Sequence, residues 1–285
     1  MSDTALEAIL RRDRTVVAIA LVIVTLLAWA YLLHLGYEMG RSGAPAPDDA
    51  SAEMPGMDMS EMDMPGMDMG AAIAPGFRAW TLADFGFIFT MWAVMMVGMM
   101  TPSVTPMLLL YALVGRKARI EGKLFAPTGW FFSGYVLVWV FFSIGATLFQ
   151  WLLASMALLT PMMATANSAV GGLVLIGAGL YQWTPVKEAC LHQCQAPIAF
   201  LSSHGGFRSD PFGALRLGID HGIYCLGCCW ALMALLFVGG VMNIVWIGGL
   251  AILILLEKTL PTGRLIPRLS GTMLVVAGIW LLVGV

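Results

Sequence analysis

Residues 15–36 read TVVAIALVIVTLLAWAYLLHLG, an uncharged stretch of 22 residues. About 20 mostly apolar residues, rising 1.5 Å each, cross the hydrocarbon core of a bilayer as a helix. Arg11, Arg12 and Arg14 stand just before this stretch. It is too long and too cleanly flanked for a cleaved signal peptide, and no convincing small-residue cleavage site follows it, so it reads as an anchor. Outward from it, the same template finds six more candidate spans, at 82–114, 128–158, 166–184, 212–239, 242–257 and 269–285. The spans at 82–114, 128–158 and 212–239 exceed the bilayer core, which predicts tilt, kinks or extension beyond it. The predicted fold is all-α: a polytopic helical integral membrane protein with about seven transmembrane helices. Three regions follow: a tail and anchor at 1–36, an external loop at 37–80, and a six-helix core at 81–285.

The composition agrees. Of 285 residues, 59% are hydrophobic and 11% charged, with mean hydropathy +0.85, against about 45–50% and about 25% in soluble domains. A soluble globule of this size has too few polar residues here to clothe its surface. That excludes a soluble enzyme and a disordered chain. A net charge of −2 gives no reason to expect nucleic acid as a partner. The surroundings are membrane lipid.

Lys and Arg favour cytoplasmic loops. With the N-terminus inside, Arg11, Arg12, Arg14, Arg116, Lys117, Arg119, Lys123, Lys187, Arg208, Arg216, Lys258, Arg264 and Arg268 fall inside, and Arg41 and Arg78 outside, a split of 13 to 2. This predicts a bacterial inner-membrane protein with loops 115–127 and 185–211 inside, a tight outer turn at Gly239–Asn243 and the C-terminus outside. Asp210 with Pro211, and Thr81 with Asp84, read as helix starts.

The outer loop is unusual. Residues 54–69 read MPGMDMSEMDMPGMDM, in which Met-Pro-Gly-Met-Asp-Met occurs twice. Met54, Met57, Met59, Met62, Met64, Met67 and Met69 are set among Asp48, Asp49, Glu53, Asp58, Glu61, Asp63 and Asp68. With Pro, Gly and no apolar period, this reads as disordered without a ligand. Thioethers are soft donors that suit Cu(I), and unlike thiols they form no disulfides in an oxidising compartment. The loop reads as a collector of Cu(I), with Ag(I) expected to bind for the same reasons. The bland alternative is a low-complexity spacer.

A second methionine set lies in MWAVMMVGMMTPSVTPM, 91–107. Met91, Met95 and Met99 are four apart, as are Met96 and Met100, so each set shares a helix face. Pro102 and Pro106 interrupt the backbone bonding there, a loss that Ser or Thr can repair. Such a stripe is either a metal path or membrane-core filler.

The five cysteines fall between 190 and 229, in Cys190-Leu-His192-Gln-Cys194 and in His221-Gly-Ile-Tyr-Cys225-Leu-Gly-Cys228-Cys229. At about 100° per residue, with His221 at zero, Cys225, Cys228 and Cys229 fall near 40°, −20° and 80°, all on one side of a helix. Cys225 then sits on the order of 20 Å along that helix, inside the bilayer. Three thiols and an imidazole there form a plausible site for Cu(I), Zn(II) or a similar soft ion. Cys190 and Cys194 either close the same site or form a separate exit site. Single buried cysteines are usually packing, but five together argue for metal or redox chemistry. Asp220, His204 and His34 are weaker candidates.

The stretches 179–194 (GLYQWTPVKEACLHQC), 218–243 (GIDHGIYCLGCCWALMALLFVGGVMN) and 91–103 resemble the signature segments of a bacterial family of predicted metal-binding integral membrane proteins, domain of unknown function family 2182. The resemblance covers roughly 80–260. It implies a helical membrane fold and a metal link, carried onto Met95, Met96, Met99, Met100, Lys187, Cys190, Cys194, His221, Cys225, Cys228 and Cys229.

The sequence therefore predicts Cu(I) binding and transport or delivery rather than catalysis. No nucleotide-binding loop is present to couple ATP. Expected partners are the metal ion and a copper chaperone or cuproenzyme, with a homo-oligomer left open. The alternatives are a membrane thiol-disulfide oxidoreductase using Cys225–Cys228 and Cys190–Cys194, or an assembly partner of a copper enzyme. Small residues at Gly171, Gly172, Gly177, Ala178, Gly179, Gly239 and Gly240 would let helices pack closely in any of these.

Overall fold

The computed structural model describes residues 3–42, 80–156, 168–260 and 263–284. The methionine repeat at 54–69 lies outside them. Every regular element among the described residues is a helix: α1 (Asp3–Ser42), α2 (Leu82–Ile120), α3 (Thr128–Ser155), α4 (Ser168–Tyr181), α5 (Pro185–Gln195), α6 (Pro197–Ser203), α7 (Pro211–Ala234), α8 (Leu236–Gly239), α9 (Ile244–Thr259) and α10 (Leu265–Val283).

The expected starts are present. Thr81 and Asp84 form a reciprocal capping box on α2, and Asp210 Oδ2 accepts from Gly213 N at 2.6 Å at the start of α7. Thr184 caps α5, with Pro185 in its first turn, and Asn243 Oδ1 accepts from Trp246 N to start α9. The turn before α9 is the tight one read from the sequence. Gly240 takes φ 93°, which a side chain would resist, and Asn243 N donates to Gly240 O.

Among the described residues, five helical segments are long and apolar enough to cross a membrane: Thr15–Tyr37, Leu82–Ile120, Thr128–Ser155, Pro211–Gly239 and Leu265–Val283. The pair α4 and α5, bent by 65° at a short break, makes a sixth if it counts as one span. The expected span 242–257 corresponds to α9, whose 16 residues reach about 24 Å. α9 runs antiparallel to α1: Ile244 lies where a side chain at Gly36 would go, and Trp29 lies over Gly248.

The segment 185–211, expected to be a loop, is mostly helical. α5 packs on α7, α9 and α6. Lys187 and Lys258, both counted as loop charges, are buried, so they report nothing about orientation. The remaining charge split still runs strongly one way.

α2 continues through Pro102 and Pro106 as one helix. Hydroxyls gather on its carbonyls there: Thr101 donates to Val97 O, Ser103 to Met100 O and Thr105 to Thr101 O. α3 crosses α7 at glycines. A Cβ at Gly134 would run into Leu215 O, and one at Gly218 into Phe131 O, so the two backbones touch where no side chain fits. α4 and α10 do the same reciprocally. A Cβ at Gly179 would stand 2.7 Å from Gly271 O, and one at Gly278 2.7 Å from Gly172 O.

Candidate metal centre

The glycine crossing of α3 and α7 sets the first contact of the site. With Gly134 and Gly218 at the interface, Tyr135 reaches its hydroxyl to within 3.2 Å of Cys225 Sγ and 3.1 Å of Met100 O. One phenol thus ties α3 to α7 and α2. On α7, His221, Cys225, Cys228 and Cys229 are all buried on the side the helical spacing predicts. The thiols of Cys228 and Cys229 turn along their own helix and donate to Cys225 O at 3.1 and 3.0 Å.

α5 brings the other two cysteines. Cys194 lies against the thiols of Cys225 and Cys228. The Cys190 sulfur is the nearest atom to where a side chain at Gly227 would go. The sequence left open one site or two; Cys194 borders the α7 thiols. His192, grouped with the cysteines by sequence, is exposed and lines a separate pocket of about 150 Å³ with Glu188, Gln195 and Arg264.

Of the methionine stripe, Met91, Met95, Met96, Met99 and Met100 are all buried in the core. Met100 joins the thiols: its Sδ lies 3.9 Å from Lys258 Nζ. The same ammonium donates to Cys225 Sγ at 2.8 Å and lies 4.0 Å from Cys229 Sγ. Three sulfurs from two helices thus converge on one nitrogen supplied by a third.

The sequence reading missed Lys258, Glu257 and Tyr135 as part of the site. The available signal was chemical: an ionisable pair ending an apolar helix and a phenol in the middle of a span, where polar groups are costly. Glu257 bonds Lys187 Nζ at 2.6 Å, with both side chains buried, and accepts from Gln182 Nε2 and Ser270 Oγ. Lys187, carried over by family resemblance, therefore serves a buried ion pair beside the sulfurs.

The donor set suits a soft ion: thiols, a thioether and an imidazole. His221 packs among the rings of Phe131, Tyr135 and Phe200, and its buried Nδ1 has no hydrogen-bond partner. An orphaned buried nitrogen is unusual and calls for a ligand or a strained role. Among the described residues, however, no three His, Cys, Asp or Glu side chains stand close enough together to hold one ion. The thiols of Cys228 and Cys229 are turned back onto their own helix. All five cysteines are free thiols.

A family model described as PpoB2, copper chaperone, matches residues 89–281. It fits the metal-binding character of the earlier resemblance and does not itself confirm that family's name. No curated protein and no solved structure matches the chain.

Proposed function

The chain belongs to the PpoB2 copper-chaperone family, and from that premise we propose that it binds Cu(I) within the membrane and delivers it to an acceptor protein. Membership in such a family points to a carrier rather than a catalyst. The observation that carries the reading is the meeting of Met100, Cys225 and Cys229 sulfurs at one buried point, with Cys194 against the thiols and an unpartnered imidazole nitrogen on the same helix. Soft donors held away from water favour a soft ion.

In this proposal the methionine loop lies outside the inner membrane and gathers Cu(I) with Met54, Met57, Met59, Met62, Met64, Met67 and Met69. Met95, Met96, Met99 and Met100 line its way inward. Cys225, Cys228, Cys229 and His221 receive it, and Cys194 and Cys190 pass it toward a cytoplasmic acceptor. Thioethers serve the oxidising side and thiols the reducing side, as the redox state of each compartment requires. The N-terminus is inside, and α9 makes a seventh crossing.

The test is metal content after anaerobic purification of the full chain in detergent from copper-supplemented cells. Stoichiometric copper is expected, lost when Cys225, Cys228 and Cys229 are changed to Ser and retained when residues 50–70 are deleted. Copper lost only with the deletion would overturn the intramembrane site. No copper, with thiols paired as disulfides, would replace the carrier by the oxidoreductase.

A further inference from the structure

Lys258 is buried, yet among the described residues no carboxylate bonds it. Its neighbour Glu257, about 100° around α9, turns its oxygens to Lys187, Gln182 and Ser270. Every hydrogen-bond partner of the Lys258 ammonium is a sulfur: Cys225, Cys229 and Met100. An ammonium taken out of water needs compensating negative charge close by. The groups able to supply it here are thiolates.

Resting on the copper-carrier reading, we propose that Lys258 is the fixed counter-charge of a two-thiolate complex and makes the site prefer a monovalent soft cation to a divalent one. When M⁺ is taken up by the thiolate that balances the ammonium and by a second thiol, one proton is released to water and the complex carries charge −1. The ammonium neutralises it. The same two thiolates around M²⁺ are already neutral, which leaves the buried ammonium unbalanced. A divalent ion such as Zn(II) also asks for four tetrahedral ligands, and no set of three His, Cys, Asp or Glu side chains stands ready among the described residues. Cys225, at 2.8 Å, and Cys229, at 4.0 Å, are the thiols the ammonium reaches, with Cys194 against Cys225 from α5.

The experiment titrates the full-length protein in detergent with Ag(I) and separately with Zn(II), for the wild type, Lys258→Met and Lys258→Arg. The expected result is a loss of at least tenfold in the Ag(I)-over-Zn(II) affinity ratio for Lys258→Met, with Lys258→Arg keeping the wild-type ratio. An unchanged ratio in Lys258→Met, or an equal loss in Lys258→Arg, overturns the proposal. A second measurement needs no variant: alkylation of wild type loaded with one Ag(I), read by mass, should find two thiols protected, and three or more overturns the two-thiolate complex. If the wild type takes up no Ag(I) that Cys225→Ser abolishes, the carrier reading itself fails, which is a different outcome from an unchanged ratio.

Discussion

Glu257 and Lys258 are adjacent in sequence and serve different surroundings. One completes a buried ion pair and the other meets the sulfurs. Breaking a buried pair from one side leaves an uncompensated charge, at a cost of about 3–5 kcal/mol, whereas replacing both partners by apolar residues is often neutral. Glu257→Gln should therefore lower the thermal midpoint sharply in detergent, and Lys187→Met with Glu257→Leu should restore most of it. Equal destabilisation by both variants would mean that the pair is needed as such. Tyr135→Phe removes a hydroxyl bonded to Met100 O and Cys225. It should cost about 1 kcal/mol and leave the copper stoichiometry unchanged, as metal analysis and melting together would report. At this scale the sequence was legible where one helix carries the pattern: the α7 face follows from a 100° step. It was not legible where a residue's role depends on what packs against it. Lys258 ends an apolar run, as a charge reaching for water does, and only the α2 and α7 sulfurs beside it reveal otherwise.

Whole helices are placed by where backbones can touch. Adding a methyl at Gly134 must push α3 away from α7, and the Tyr135 contact with Cys225 goes with it. Gly134→Ala is expected to cost about 1–3 kcal/mol, the usual penalty for overpacking. Gly145→Ala, on the same helix with open space around it, should be neutral or slightly stabilising. A matched effect of the two substitutions on unfolding would show that the crossing is not tight. Capping and spans were readable because each depends on a few local residues, as at Thr81, Asp84, Asp210 and Pro211. The break between α4 and α5 was not, since Gln182-Trp183-Thr184-Pro185 reads equally well as the end of a span.

For the molecule as a whole, the open quantity is the number of crossings. Its parity decides where the two ends lie. α9 is short, but its antiparallel run beside α1 begins at the level of Gly36 and carries it back through most of the same depth. With α4 and α5 together making one span, the N- and C-termini should therefore lie on opposite faces, as reporter fusions at each end would show, and fusions active on one face only would remove either α9 or that pair as a crossing. Composition and charge bias made the membrane class readable from a distance, because both sum over many residues. The crossing count was harder to read because it rests on two local features, the 16-residue α9 and the bent pair of α4 and α5.

The reciprocal glycine contact of α4 with α10 also has a consequence in time. α4 ends at Tyr181 and α10 begins at Leu265. At about 5–20 residues per second, synthesis separates them by on the order of ten seconds. Throughout that interval the notch at Gly172 and Gly179 faces lipid or the insertion machinery, and Gln182 waits for Ser270. Of the helices α4 packs against, α7 and α8 are already made in that interval, so α4 can be seated on its other neighbours before the α10 notch is filled.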